Sequence, residues 1–170
     1  MRRTRLVGAP AQPGGSAPAP IAFFYAPPMD DTIFRKILDG EAEVSWIARE
    51  NGVAAFMDLH PVNPGHALVI PERPAVGLAD LDPDDGREMF AMAQRVAAAI
   101  RASDIPCDGI NLILADGVAA GQEVFHVHLH VIPRVEGDAF GFKHAPDYPR
   151  AERRMTLDEQ AAEITNRLKS

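Results

Sequence analysis

Residues 124–134 read VFHVHLHVIPR and place a histidine at every second position: His126, His128 and His130. Successive side chains of a β-strand project to opposite faces. This spacing therefore predicts a strand with the three imidazoles on one face and Phe125, Val127, Leu129 and Val131 on the other. The second set is apolar and belongs against a core. Burying three imidazoles without partners costs about 1–3 kcal/mol per unsatisfied group, so the histidine face is expected to line a polar, partly open pocket. The chain has six histidines. Half of them in strict alternation mark a site, whereas one partly exposed histidine on an edge strand would mean little.

Working outward, GINLILA (109–115) predicts another strand, joined to the histidine strand by the turn-forming DGVAAGQ (116–122). Before it lies the strongest helix signal, in residues 81–103. Asp82 can serve as N-cap, Pro83 suits the first helical position, and Met89, Met92, Ala93, Val96, Ala97 and Ile100 form one apolar stripe. VSWIA (44–48), VAAFMD (53–58) and HALVIP (66–71) read as strands of an antiparallel meander, separated by the turn clusters RENG and HPVNPG. A short helix in DDTIFRKILDG (30–40) is capped by Asp31 or Thr32 and closed by Gly40, and TLDEQAAEITNRLK (156–169) predicts a C-terminal helix. Helix, three strands, long helix, two strands and helix make an α+β domain, with a mainly antiparallel five-stranded sheet and one long packing helix.

A chain of 170 residues suits one domain, and 46% apolar with 24% charged residues is ordinary for a folded protein. The expected division is an N-terminal extension over 1–29, a folded domain over 30–145 and a helical tail over 146–170. The extension holds no acidic residue and is broken repeatedly by proline and glycine. Those breaks deny it the continuous apolar stretch of a secretory signal and the amphipathic helix of a transit peptide, so a flexible segment is expected. A net charge of −7 gives no basic field for a nucleic-acid polymer. Cys107 is the single cysteine, which precludes an intrachain disulfide and a cysteine-based zinc cluster and fits a reducing, cytoplasmic setting. No apolar run reaches the length of about 18 residues that crosses a bilayer, so no membrane partner is expected.

Two chemistries fit the alternating imidazoles. Histidines at i and i+2 of a strand can ligate zinc, with a third imidazole from elsewhere and an open position for water. Alternatively one imidazole is itself a nucleophile, with its neighbours fixing its tautomer and protonating the leaving group.

The surroundings carry a family resemblance. DTIFRKILDGE (31–41), FMDLHPVNPGHALVIP (56–71) and GINLILADGVAAGQEVFHVHLHVIPR (109–134) together resemble, in order and over about Asp31 to Lys143, the histidine triad (HIT) family of nucleotide hydrolases and transferases. The resemblance implies that His128 attacks the α-phosphorus of a purine nucleotide or nucleotide conjugate, forming a nucleotidyl-imidazole that water resolves, with no metal or cofactor. It implies that His126 orients the nucleophile's surroundings. His130 and His66 would form the polar network around the phosphate, and Gln122 would donate to a phosphate or bridging oxygen. The loop DGVAAGQ would let phosphate approach its backbone. The nucleoside pocket would comprise Ile33, Phe34, Ile37, Phe56, Asp58 and Leu59, the apolar residues holding the purine and Asp58 the ribose hydroxyls. For Ile33, Ile37 and Phe56, plain core packing is the stronger reading of the sequence alone, and Asp58 at a strand end could equally cap a turn. A two-fold homodimer with a continuous sheet is also implied.

Three departures qualify the match. FRKI stands where some bacterial relatives carry a zinc-binding Cys-x-x-Cys, so no structural zinc is expected. Ala115 replaces a polar residue before the loop. Glu123 replaces Ser or Thr after the Gln, close to the leaving-group side, where it would repel anionic leaving groups. Ala115 and Glu123 keep open a second reading, a noncatalytic nucleotide-binding or interaction module. His60 and His144 match no family motif and are expected at the surface.

Overall fold

In the computed structural model the described residues are 32–141, 144, 146, 148, 149 and 151–169. The predicted extension, residues 1–29, lies outside them. The elements run α1 (Ile33–Leu38), β1 (Trp46–Glu50), β2 (Val53–Met57), β3 (Ala67–Pro71), α2 (Pro83–Arg101), β4 (Gly109–Leu114), β5 (Leu129–Arg134) and α3 (Arg154–Leu168), with a 3-10 turn at Val118–Ala120. All strand pairs are antiparallel, in the order β1-β2-β3-β5-β4. The histidine-bearing strand therefore sits inside the sheet, and β4 is an edge.

The starts of α1 and α2 follow the expected cap chemistry. The Thr32 hydroxyl accepts from the Arg35 amide at 3.1 Å, and the Asp82 carboxylate accepts from the Asp84 amide at 2.8 Å, with Pro83 opening α2. Such caps contribute about 1 kcal/mol each. Most of the α2 stripe is buried as its spacing requires: Met89, Met92, Ala93, Val96 and Ile100 pack on Val53, Ala55, Val69 and Val131 from alternate positions of the sheet and on Val127 just before β5, with Ala97 partly buried beside them. At about 1.5–3 kcal/mol per large apolar side chain removed from water, this face dominates stability. The opposite face packs Phe34, Ile37 and Leu38 of α1 on Ala54, Phe56, Leu68 and Ile70.

Three boundaries differ from the expectation. β1 begins two residues later than VSWIA, and a register irregularity lies between Trp46 and Ala48. α3 begins two residues earlier than predicted. Most consequentially, the histidine strand begins at Leu129, so Phe125, His126, Val127 and His128 lie before the ladder. β3 runs on to Pro71 against β2, but it pairs with β5 only from Ala67 to Val69. The preceding segment bonds to the chain beyond β3 instead: the Val127 amide donates to the Ala75 carbonyl at 2.7 Å.

Gly65 makes the turn that delivers His66 to β3. It adopts φ +87°, and an added Cβ would stand 2.9 Å from Ile105 Cγ2 and 3.1 Å from Pro133 Cγ. Both the left-handed backbone and the close approach demand glycine there.

Candidate active site

The alternation survives although the strand does not extend through it. Val127 and Val131 enter the α2 core, with Leu129 partly buried against it, while the histidines face α1. The rings of His128 and His130 lie 4.9 Å apart, and Phe34 presents to His126 at 6.1 Å and to His128 at 5.1 Å, edge to face in each pair. Phe125, expected in the core, is only half-buried. The face is less open than the sequence implied. His126, His128 and His66 are buried, and only His130 is partly exposed.

Their polar atoms are satisfied by the main chain. His126 Nε2 lies 2.8 Å from the Pro71 carbonyl oxygen and must donate to it. His128 Nδ1 lies 2.8 Å from the His126 carbonyl oxygen and likewise must carry the proton. A neutral imidazole has one N–H, so His128 Nε2 holds the lone pair. On the far side, the Val62 amide donates to His66 Nδ1 at 3.1 Å. His66 therefore carries its proton on Nε2 and donates it to His130 Nδ1, 2.9 Å away, which leaves the His130 proton on Nε2. Backbone groups thus set four tautomers: one ring offers a nucleophilic nitrogen, and its neighbour offers an N–H.

Burial also keeps these rings neutral. Desolvation lowers the pKa of His66, His126 and His128 below the ordinary histidine value, and that of His130 to about 4. The Asp58 charge opposes the shift at His66, His128 and His130, and Glu123 opposes it at His128.

Asp58 stands at the end of β2, with Oδ1 accepting from the His60 amide at 2.9 Å and Oδ2 at 3.5 Å from His66 Nδ1. Asp58, His66 and His130 are the one group among the described residues with donor atoms close enough to hold a metal ion, all within 4.8 Å. It is not the His-x-His pair the alternation suggested. To bind metal, His66 would have to give up its bond to Val62 or to His130, since each occupies a ring nitrogen.

Of the expected nucleoside residues, Phe34, Ile37 and Phe56 are buried in the α1-side cluster. Ile33 and Leu59 are in water, 48% and 86% exposed. Three of the five apolar residues expected in the nucleoside pocket are therefore core, and two are at the surface. His60 is exposed, and His144, also exposed, stacks on Tyr148 with centroids 4.0 Å apart.

Gln122 departs from its expected role. Its Nε2 donates to the Val76 carbonyl at 2.6 Å and the Val124 carbonyl at 3.2 Å, and its Oε1 accepts from the Gly117 amide at 2.8 Å. Both amide hydrogens are thus engaged, so Gln122 latches the loop and offers no donor to a phosphate. The loop's amides at Ala120, Gly121 and Gln122 are also bonded internally. No side-chain pattern could have announced the latch or the carbonyls of Pro71 and His126, because backbone groups are common to every residue.

A family profile described as "HIT domain" matches residues 39–137. The chain belongs to the HIT family. An uncharacterized HIT-like protein of Borreliella burgdorferi is 39% identical over 116 residues, 68% of this chain and 84% of that one. The crystal structure of a HIT family protein from Bacillus anthracis superposes with TM-score 0.73 at 37% identity, covering 81% of this chain and 96% of that one. A Schizosaccharomyces pombe protein named bis(5'-nucleosyl)-tetraphosphatase (asymmetrical) is 42% identical over 85 residues, 50% of this chain and 46% of its own length. The HIT fold accounts for the sheet order, and the HIT motif is the segment whose tautomers are described above.

Proposed function

We propose that this HIT protein hydrolyses purine nucleotide derivatives, phosphoramidates or dinucleoside polyphosphates, at the α-phosphate through a covalent nucleotidyl-His128. The observation that carries the reading is the 2.8 Å bond from His128 Nδ1 to the His126 carbonyl, which leaves the Nε2 lone pair free. Nε2 forms a bond to phosphorus as the bond from phosphorus to the leaving group breaks; an amine departs with a proton drawn from solvent. The resulting imidazolium keeps Nδ1–H on the carbonyl, where its positive charge is stabilised. Water then adds to phosphorus, the N–P bond breaks, and one proton returns to solvent with release of the nucleoside monophosphate. The net change is addition of one water. The cycle calls for no metal or cofactor.

The His66–His130 pair supports this by holding an N–H on His130 beside the reacting ring, a donor for a phosphate oxygen. Asp58 would accept from the ribose, with Ile33 and Leu59 closing on the base above the Phe34, Ile37 and Phe56 floor. Gln122 acts indirectly, by fixing the loop.

Incubation with an adenosine phosphoramidate or diadenosine tetraphosphate, acid-free quench and mass spectrometry tests the reading. An adenylylated peptide spanning residues 124–134 is expected. Nucleotide binding without adduct or turnover would point to the noncatalytic module instead.

The edge position of β4, which no further strand among the described residues pairs with, and the exposure of Leu112 support pairing with a second copy to extend the sheet. Sedimentation at about twice 18.4 kDa is expected; a monomer would refute the dimer. Among the described residues no helix is long and apolar enough to cross a membrane. With Cys107 unpaired, this supports the proposed cytoplasmic location.

A further inference from the structure

Past Pro71 the chain leaves the sheet. Residues 72–76 read ERPAV, and Pro74 brings a fixed φ and no N–H, so this strap runs on without a ladder. It nevertheless orders the histidine segment. The carbonyls of Pro71, Ala75 and Val76 accept from His126 Nε2 at 2.8 Å, the Val127 amide at 2.7 Å and Gln122 Nε2 at 2.6 Å. The His126 carbonyl in turn accepts from His128 Nδ1 at 2.8 Å. The position of the strap therefore sets the position of His126, and His126 sets which nitrogen of His128 is free.

Without a ladder, the strap is fastened by side chains. Arg73 lies two residues from both Pro71 and Ala75. Its Nε and Nη2 donate to the two carboxylate oxygens of Asp85 at 2.8 and 2.9 Å, and its Nη1 lies 3.1 Å from Asp82 Oδ2. Both acids stand at the start of α2, Asp82 as its N-cap. Asp85 is buried, and among the described residues its carboxylate is engaged by Arg73 alone. A planar fork on a buried carboxylate fixes direction as well as distance, which an ammonium does not.

We infer that Arg73 is a positioning residue: by clamping the strap to the start of α2 it holds the His126 ring and, through the His126 carbonyl, the Nδ1–H tautomer of His128. A contact on the α2 side of the sheet thus reaches the nucleophile on the other side through four hydrogen-bonded groups, none of them substrate. The effect on turnover rests on the hydrolase reading above.

Long-range proton–nitrogen NMR correlations from isotope-labelled histidines in the full chain read each tautomer directly. At about pH 7 the wild type should show His126 as Nε2–H and His128 as Nδ1–H. Arg73→Ala should give His128 as a mixture of both tautomers, and kcat for an adenosine phosphoramidate should fall about tenfold to a hundredfold with KM changed by less than about twofold. Arg73→Lys, which keeps the charge and loses the fork, should fall between the two. Ile100→Ala, which opens the core at the far end of α2, should lower stability and change neither readout, so it separates positioning from plain loss of stability. If Arg73→Ala does not fold, Arg73→Gln makes the same comparison. An unchanged His128 tautomer and unchanged kcat in the Arg73 variant overturn the assignment and leave the hydrolase reading standing. A wild type that turns over no phosphoramidate removes the hydrolase reading; the spectra then decide the clamp alone, a tautomer mixture in the variant supporting it and a single tautomer overturning it.

Discussion

The two faces of the sheet are built from the same alternating strands and covered to different depths. A 19-residue helix, α2, lies along one face and meets alkyl side chains throughout. A six-residue helix, α1, covers part of the other. Beside it lie four imidazoles, three of them buried, whose polar atoms are satisfied by the carbonyls of Pro71 and His126, the Val62 amide and one another. The first face is stabilised by area removed from water and tolerates any residues of the right shape. The second depends on direction, because each ring must be held with a particular nitrogen outward. The chemistry proposed for this protein belongs to the face that is held by direction.

One pair of substitutions should break this comparison cleanly. Met89→Ala on the α2 face should cost about 2–5 kcal/mol in urea unfolding while kcat per folded molecule is retained. His128→Ala on the other face should lower turnover by more than about 10³-fold and leave nucleoside monophosphate binding intact. Turnover retained in His128→Ala would remove the covalent mechanism.

Acid sharpens the contrast with a smaller effect. The folded pKa of His66, His126, His128 and His130 is lowered, so the unfolded chain binds more protons between about 6.5 and the folded values. Their contribution is fully present above about 6.5 and is lost as pH falls towards about 4, the His130 value. The thermal midpoint at pH 5 should lie several degrees, about 4–8 °C, below that at pH 7. Met89→Ala should lower both midpoints alike. Turnover should rise with pH along a limb below 6.5, as His128 loses its proton, and be flat above it.

The smallest expected effect is at Leu59, which is 86% exposed. Leu59→Ala should change stability by less than about 0.5 kcal/mol and weaken purine nucleotide binding about threefold to tenfold by titration calorimetry. Unchanged affinity would take Leu59 out of the pocket.

Much of this was legible before any coordinates. The α2 stripe, the caps at Thr32 and Asp82, the meander and the alternation at 126, 128 and 130 are local patterns, and local patterns follow from side-chain period and turn chemistry. Other features depend on distant partners. β5 pairs with β3 only as far as Val69, so His126 and His128 are ordered not by the ladder but by hydrogen bonds to the Pro71 and His126 carbonyls. Asp85 lies one turn before Met89 on the buried face of α2, where a charge is out of place in the sequence pattern, and Arg73 reaches it with two bonds of 2.8 and 2.9 Å. Gln122 is spent on the loop because Val76 and Gly117 come within reach.

The linear chain by itself determined which residues share a face and which chemistry that face could host, since strand period and residue type need no knowledge of neighbours. Only the tertiary structure decided which nitrogen of each imidazole is free, because a proton's position on a neutral ring is set by the group across from it. For His126 that group is a backbone carbonyl 55 residues away in sequence, and for His130 it is the ring of His66.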